Sequence, residues 1–212
     1  MRVLVFGDSI TQGFWDSEGG WVARLRKYYD KKKIEDLRSE KEIPDVFNLG
    51  ISGGSSKTIL DRFENETRAR KNSEDMAIII CTGVNDSCLL ENEKSMTPPD
   101  EYERNLRKLA LQAKAFTDKV IFVGLVAADE SQTMPVFWRN IYYPNKRIKD
   151  YESMMAGVAQ KGAITFIPVF DEFKKHLDGG ENILADGLHP NNEGHELIFQ
   201  LVRPALDDIL NT

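Results

Sequence analysis

The sequence predicts a three-layer α/β/α fold around a parallel five-stranded sheet of flavodoxin-like order, in a single domain spanning residues 1–212. Two observations predict it: short apolar runs recur along the chain, and amphipathic helical stretches separate them. Uniformly apolar runs are typical of parallel strands that are covered on both faces. Strands that alternate with helices indicate right-handed crossovers and therefore a parallel sheet.

The predicted strands are short and rich in aliphatic side chains. A run of this kind fits a buried strand better than a helix because it is too brief for several helical turns. The runs lie at residues 3–6, 46–49, 76–82, 120–126 and 164–169.

The predicted helices each have one apolar stripe. In the first, Trp21, Leu25 and Tyr28 share a face, and lysines and arginines fill the opposite one. Similar stripes occur within residues 102–113, 154–158 and 197–202. The lysine run at 31–33 and the Glu/Arg-rich stretch up to residue 42 are interpreted as a solvated helix end and loop.

Composition excludes several classes of function. The chain has a net charge of −6, which argues against a nucleic-acid partner and gives no attraction to anionic membranes. Two cysteines, Cys81 and Cys88, are too few for a disulfide framework and predict free thiols in a reducing compartment. The apolar run before Gly7 is too short for a signal peptide, so we expect a cytoplasmic protein without stable membrane association.

Four polar, glycine-containing blocks follow the predicted strands. They are GDSITQG at residues 7–13, NLGISGGS at 48–55, GVND at 83–86 and DGLHP at 186–190. The carboxyl ends of parallel strands meet at one edge of a sheet, where ligands bind in folds of this kind. The blocks are therefore expected to form one site.

In sequence and order, these four blocks resemble those of the SGNH, or GDSL, hydrolase family of esterases and lipases. The resemblance is strongest in the blocks, and their spacing extends it over nearly the whole chain. It implies the SGNH hydrolase fold and hydrolysis of carboxylic esters without a cofactor.

Ser9, His189 and Asp186 are the candidate catalytic residues, because a serine hydroxyl needs a base to become a nucleophile. Taken alone, Ser9 fits a helix cap better than a nucleophile, but the surrounding block matches the family's first block. His189 is the expected base, whereas His176 and His195 are interpreted as a solvated helix end and a structural residue. Asp186 precedes His189 by three residues, a spacing that lets its carboxylate orient the ring or order its own turn.

Three donors are candidates for an oxyanion hole, which stabilises the charge that develops on the substrate oxygen. They are the backbone N–H of Ser9, the backbone N–H of Gly53 and the side-chain amide of Asn85. The resemblance assigns Gly53 and Asn85 to this role, with Gly54 as the adjacent alternative. Asp8 and Asn48 are expected to support the loops by hydrogen bonds.

The segment 129–145 is rich in aromatic side chains and lacks a regular period. Such a segment either walls a binding site or packs on the domain, and both interpretations stay open. The candidate substrate contacts are Trp15, Phe137, Trp138 and Tyr142.

Metal and nucleotide sites are not expected. His189 and His195 are six residues apart, which is not the helical spacing of zinc ligands, and no phosphate-binding glycine loop follows the first strand. The predicted partner is a small-molecule ester, and the sequence does not indicate an oligomeric state.

The leading hypothesis is a serine esterase that hydrolyses small acyl esters, such as acetyl esters of a carbohydrate or similar alcohol, through an acyl-enzyme. An acylhydrolase of the lysophospholipase or thioesterase type, acting on longer chains, is the first alternative. A non-catalytic binding module of the same fold is the second.

Overall fold

The computed structural model describes residues 1–37, 43–72, 75–91 and 94–211. At its centre is a parallel sheet whose strands lie in the order β2-β1-β3-β5-β7. The strands are β1 (Arg2–Gly7), β2 (Asp45–Gly50), β3 (Met76–Cys81), β5 (Val120–Val123) and β7 (Thr165–Ile167). This order confirms the predicted five-stranded, flavodoxin-like sheet.

Helices cover the sheet in two groups. One group consists of α2 and α9, which pack on each other, and the other consists of α3, α5 and α7, which pack in series. The helices are α1 (Ser9–Gln12), α2 (Gly20–Glu35), α3 (Ser56–Arg70), α4 (Val84–Ser87), α5 (Pro99–Lys114), α6 (Glu130–Thr133), α7 (Asn145–Lys161), α8 (Phe170–Asp178) and α9 (Asn192–Asn211).

Two of the strands are shorter than predicted because a buried carboxylate replaces their ladder hydrogen bonds. The Oε1 atom of Glu152 accepts the Leu125 N–H at 3.2 Å and the Val169 and Phe170 N–H groups at 3.0 and 2.9 Å. These backbone groups lie just beyond β5 and β7, so the apolar runs continue as buried loops instead of strands.

A second, two-stranded antiparallel sheet was not predicted. It pairs β4 (Leu89–Leu90) with β6 (Ile141–Tyr142), which brings the aromatic segment beside the loop that follows β3. Each strand has only two residues, too few to show a period in the sequence.

Three further sequence predictions concern the two cysteines, the charged stretch after α2 and membrane association. Cys81 and Cys88 are free thiols, as predicted, and both are buried. The charged stretch after α2 falls partly on residues 38–42, which lie outside the described residues. Among the helices that the structure describes, none has the length and hydrophobicity required to cross a bilayer.

The first three strands of the sheet end at the same level. Gly7 pairs with Gly50 on one side and with Cys81 on the other, so the loops that follow these strands start side by side. Three of the four polar blocks occupy these loops, and this register places them at one edge.

His195, on α9, ties the last helix to the loop after α1. Its Nδ1 atom accepts the Trp21 N–H at 3.3 Å, and its Nε2–H donates to the Phe14 carbonyl at 3.0 Å. Only the neutral ring can make both bonds, and burial together with nearby Arg24 lowers the pKa of His195 to about 4. The sequence interpretation of His195 as structural agrees with these contacts.

The buried neutral ring predicts an acid-sensitive contribution to stability. Because its folded-state pKa lies below the ordinary value of 6.5, the unfolded chain takes up the proton first as the pH falls. His195 should therefore remove about 3 kcal/mol from the free energy of unfolding between pH 7 and pH 4. His195→Gln, which cannot titrate, should lose that dependence in urea unfolding.

The pH dependence of the free energy of unfolding must be compared between wild type and His195→Gln, because Asp8 changes that free energy in the opposite direction. Burial raises the pKa of Asp8 to about 6, which favours the folded state as the pH falls. His176→Gln is the matched control because His176 pairs with exposed carboxylates at the end of α8. A wild-type minus His195→Gln difference that is constant over this pH range would contradict the prediction.

Candidate active site

Ser9 lies directly after β1, as the first residue of the short helix α1. Asp8, not Ser9, caps this helix: its carboxylate accepts the Ile10 N–H at 2.9 Å. The capping role that Ser9 alone would also fit therefore belongs to its neighbour, and the Ser9 hydroxyl is free for another partner.

That partner is His189, from the other end of the chain. The Ser9 Oγ and His189 Nε2 atoms are 3.0 Å apart. On the far side of the ring, the Nδ1 atom of His189 is 2.8 Å from Oδ2 of Asp186. A carboxylate at this nitrogen holds the proton on Nδ1, so Nε2 presents its lone pair to the serine hydroxyl.

The Asp186 carboxylate accepts four hydrogen bonds, two at each oxygen. Oδ1 accepts the backbone N–H groups of Leu188 and His189, and Oδ2 accepts the ring of His189 and the indole N–H of Trp15. Burial opposes the charge, but the bonds from His189 and Leu188 outweigh it and lower the pKa of Asp186 to about 2. The carboxylate is therefore ionised at neutral pH.

A tight loop brings Asp186 and His189 together. The Ala185 N–H donates to the His189 carbonyl at 2.8 Å, which closes the loop. Gly187, inside it, has φ +83°, and a Cβ there would lie 2.6 Å from Gln132 Cβ. Only glycine fits this backbone, so the three-residue spacing depends on it.

Trp15, a candidate substrate contact, also bonds to the Asp186 carboxylate. Its indole Nε1 donates to Oδ2 of Asp186 at 2.8 Å, although more than half of the side chain is exposed. Its φ of +61° is unusual for a bulky residue, and such strain is typical of functional sites. The structure thus places Trp15 against the carboxylate, a contact that its sequence position did not indicate.

The three candidate oxyanion donors come from three adjacent loops. Gly53 has φ +74°, a conformation that glycine adopts without strain. Its neighbour Gly54 contacts both other loops. The Gly54 backbone lies close to Asp8, because a Cβ at Gly54 would be 3.6 Å from the Asp8 Cα. The Gly54 carbonyl also accepts Nδ2–H of Asn85 at 3.0 Å. The Gly54 carbonyl is thus a hydrogen-bond acceptor for the neighbouring candidate donor.

Asn48 and Gln12 hold two of these loops together. The Asn48 amide donates to the Thr11 carbonyl at 2.8 Å and accepts the Gly50 N–H at 2.9 Å. Gln12 Oε1 accepts the Ser52 N–H at 2.9 Å, one residue before Gly53. Gln12 belongs to the first polar block, but sequence reasoning gave it no role.

Asp86, next to Asn85, joins the third loop to α3. Its carboxylate accepts the Ser56 hydroxyl at 2.6 Å and the Ser56 N–H at 2.9 Å. Burial raises the pKa of Asp86, and the bonds from Ser56 oppose that rise. The carboxylate thereby ties the loop that carries Asn85 to the start of a long helix.

The aromatic segment 129–145 is partly buried in the domain and partly exposed beside His189. Val136 and Tyr143 pack inside the domain, whereas Phe137 and Trp138 remain exposed. The Trp138 ring lies 5.9 Å from the His189 ring between centroids, and Phe137 packs edge-on against Trp138 at 4.8 Å. Part of the segment therefore walls the site and part of it packs.

Phe14, which sequence reasoning missed, lies 5.5 Å from His189 between ring centroids. Tyr142, a predicted substrate contact, is half-buried on β6 with its hydroxyl donating to Asn140 at 2.8 Å.

Among the described residues, no cluster of three or more histidine, cysteine or acidic side chains is arranged to hold a metal ion.

A parallel α/β sheet with a serine, a histidine and an aspartate in hydrogen-bond contact at its carboxyl edge is the arrangement of a serine-type hydrolase. The family model described as GDSL-like lipase/acylhydrolase matches residues 5–197. The chain belongs to this family, as the resemblance implied.

Curated relatives agree with this membership. The isoamyl acetate-hydrolyzing esterase 1 homolog of Mus musculus is 30% identical over 216 residues, which cover 97% of this chain and 81% of the relative. The Homo sapiens homolog is 29% identical, with the same coverage. The protein is accordingly a carboxylic ester hydrolase.

Solved structures show the same fold. A lipase/acylhydrolase from Enterococcus faecalis superimposes with a TM-score of 0.74 at 24% identity, covering 99% of this chain and 95% of that one. An acetylxylan esterase from Geobacillus stearothermophilus gives a TM-score of 0.72 at 21% identity, covering 97% and 93%. At these identities the likeness concerns the fold.

Proposed function

We propose that the protein hydrolyses small acyl esters, acetyl esters first, through a Ser9–His189–Asp186 triad. The observation that carries the proposal is the continuous hydrogen-bonded chain across the three side chains, at 3.0 Å and 2.8 Å. Each link has the geometry that activation of a serine hydroxyl requires.

The reaction proceeds in two halves. Ser9 Oγ attacks the ester carbonyl while its proton moves to Nε2 of His189, and the carbonyl oxygen becomes an oxyanion. The Ser9 and Gly53 N–H groups and the Asn85 amide donate to that oxygen. The intermediate then collapses, His189 gives the proton to the leaving alcohol, and water hydrolyses the acyl-enzyme by the same route.

The preference for an acetyl group rests on the relatives. Those with about 30% identity over nearly the whole chain are named for hydrolysis of isoamyl acetate, the acetyl ester of a small branched alcohol. The proposed acyl group is therefore acetyl, the acyl group in the names of these relatives.

The aromatic residues bear on the alcohol. Since His189 protonates the leaving alcohol, the alcohol must lie beside its ring, where Phe14 and Trp138 stand 5.5 Å and 5.9 Å away between centroids. Aromatic faces suit an alkyl or aryl alcohol and also the apolar face of a sugar. Phe14 and Trp138, with exposed Phe137 packed against Trp138, are thus the proposed contacts of the alcohol.

A chain-length series tests the acyl preference. We expect hydrolysis of p-nitrophenyl acetate with kcat/KM above that of the butyrate and at least tenfold above that of the octanoate, because a site that fits an acetyl group excludes longer chains, and even one extra methylene can change kcat/KM by roughly tenfold. Activity that rises with chain length would instead support an acylhydrolase of the lysophospholipase or thioesterase type.

The same assay separates an enzyme from a binding module. A folded protein that hydrolyses no ester and is not labelled by a fluorophosphonate would lack an activated serine, and the proposal would then be wrong.

A further inference from the structure

Asn85 differs from the other two proposed oxyanion donors. The Ser9 and Gly53 donors are backbone N–H groups, whose directions the chain conformation sets. Asn85 donates from a side chain, and a terminal amide torsion is soft. Its amide therefore needs partners that hold its orientation, and these partners are part of the machinery of the site.

Two such partners are present, one at each end of the amide. Nδ2 donates to the Gly54 carbonyl at 3.0 Å, and Oδ1 accepts the hydroxyl of Tyr143 at 3.3 Å. An amide nitrogen carries two hydrogens, so one Nδ2–H remains for a substrate oxygen.

The Tyr143 hydroxyl is firmly placed. The side chain is 2% exposed, and the Tyr143 N–H donates to the Thr133 carbonyl at 3.1 Å. The preceding residue, Tyr142, pairs with Leu89 in the small β4–β6 sheet. Leu89 begins β4, which follows the helix that carries Asn85.

We propose that Tyr143 is a positioning residue that holds the Asn85 amide with its free Nδ2–H directed at the oxyanion. This inference rests on the proposed function. The hydroxyl acts in two ways: it restrains the amide plane, and it withdraws electron density through Oδ1, which makes Nδ2–H a stronger donor. Both effects matter most when the substrate oxygen becomes negative, so they are stronger in the transition state than in the bound ester.

Removal of the hydroxyl alone tests this role. Tyr143→Phe should lower kcat for p-nitrophenyl acetate by about tenfold and change KM by less than twofold, since the missing interaction serves the transition state. The matched control is Tyr29→Phe, another buried tyrosine, whose hydroxyl donates to Asp207 at 3.0 Å on the α2 side of the fold. Tyr29→Phe should retain wild-type kcat and KM.

A double-mutant cycle distinguishes positioning from general structural support. Asn85→Ala should lower kcat by about a hundredfold or more, and adding Tyr143→Phe should lower it no further, because the group that Tyr143 positions is gone. A tenfold loss from Tyr143→Phe in both backgrounds would overturn the proposal, as would wild-type kcat in the single variant. Thermal unfolding of all variants identifies any that are misfolded.

If Tyr143→Phe does not fold, the kcat of a second variant tests the proposal. Cys88→Ala changes another buried side chain, at the end of α4, and leaves the bond between the Tyr143 hydroxyl and Asn85 in place, so kcat should stay within twofold of wild type. A larger loss in this folded variant would overturn the proposal. Failure of the proposed function would be seen separately, as hydrolysis that persists in Ser9→Ala.

Discussion

Ser9→Ala is expected to lower kcat for p-nitrophenyl acetate by roughly a thousandfold or more. The substitution removes the only atom that forms the acyl-enzyme bond in the proposed mechanism. It leaves the fold intact, because Asp8 caps α1 and the Ser9 hydroxyl contributes its hydrogen bond to His189 alone among the described residues. Steady-state hydrolysis and fluorophosphonate labelling, measured together with thermal unfolding, check both statements.

Ser153→Ala is the matched control for this variant. The Ser153 hydroxyl donates to the Lys149 carbonyl on the exposed face of α7, far in sequence from the four polar blocks. It should retain wild-type activity and labelling. Substantial turnover or labelling in folded Ser9→Ala would refute Ser9 as the nucleophile.

His189→Ala is expected to reduce kcat nearly as much as Ser9→Ala, again by roughly a thousandfold or more. Without the ring, no group accepts the serine proton or returns one to the leaving alcohol. The double variant should be no slower than either single variant, since the two side chains act as one unit. Kinetics of the three variants measure this non-additivity.

The control for the histidine is His176→Ala, at a surface position beside Glu172 and Glu181. It should hydrolyse p-nitrophenyl acetate at the wild-type rate. Losses in the two single variants that multiply in the double variant would mean that Ser9 and His189 act independently, contrary to the hydrogen bond between them.

Asp186 is expected to matter less than His189, because its role is to orient and stabilise a ring that does the proton transfer. The structure gives this a physical basis, because the ring of His189 also lies against the rings of Phe14 and Trp138. Packing restrains the ring after loss of the carboxylate, although the tautomer would no longer be held.

Much of the fold was predictable from the sequence, because it depends on local patterns. The apolar runs that became β1, β2 and β3 have nearly the predicted bounds. The uniform hydrophobicity of β1 and β3 follows from burial on both faces of a parallel sheet, whereas β2 lies at the sheet edge and is only partly buried. The ends of β5 and β7 were not predictable, since Glu152 terminates them from another helix.

The candidate site was predictable to a similar extent. Ser9, Asp186 and His189 lie in short motifs whose residue types indicate a nucleophile, a base and an orienting carboxylate. The strand order places these motifs at the carboxyl edge of the sheet. Trp15 and Tyr143 were different: the sequence shows aromatic side chains but not which polar group each one meets. Their partners, Asp186 and Asn85, are far away along the chain.

The sequence by itself therefore determined the fold class, the family and the residues able to act as nucleophile, base and orienting carboxylate. These depend on periodicity and on short motifs, both of which are local. Only the tertiary structure decided the spatial details of the site. It showed that Asp8 rather than Ser9 caps α1, that Trp15 bonds to Asp186, and that the aromatic segment divides between wall and core. Hydrogen bonds and packing between distant segments set these details, and such contacts form only when the chain has folded.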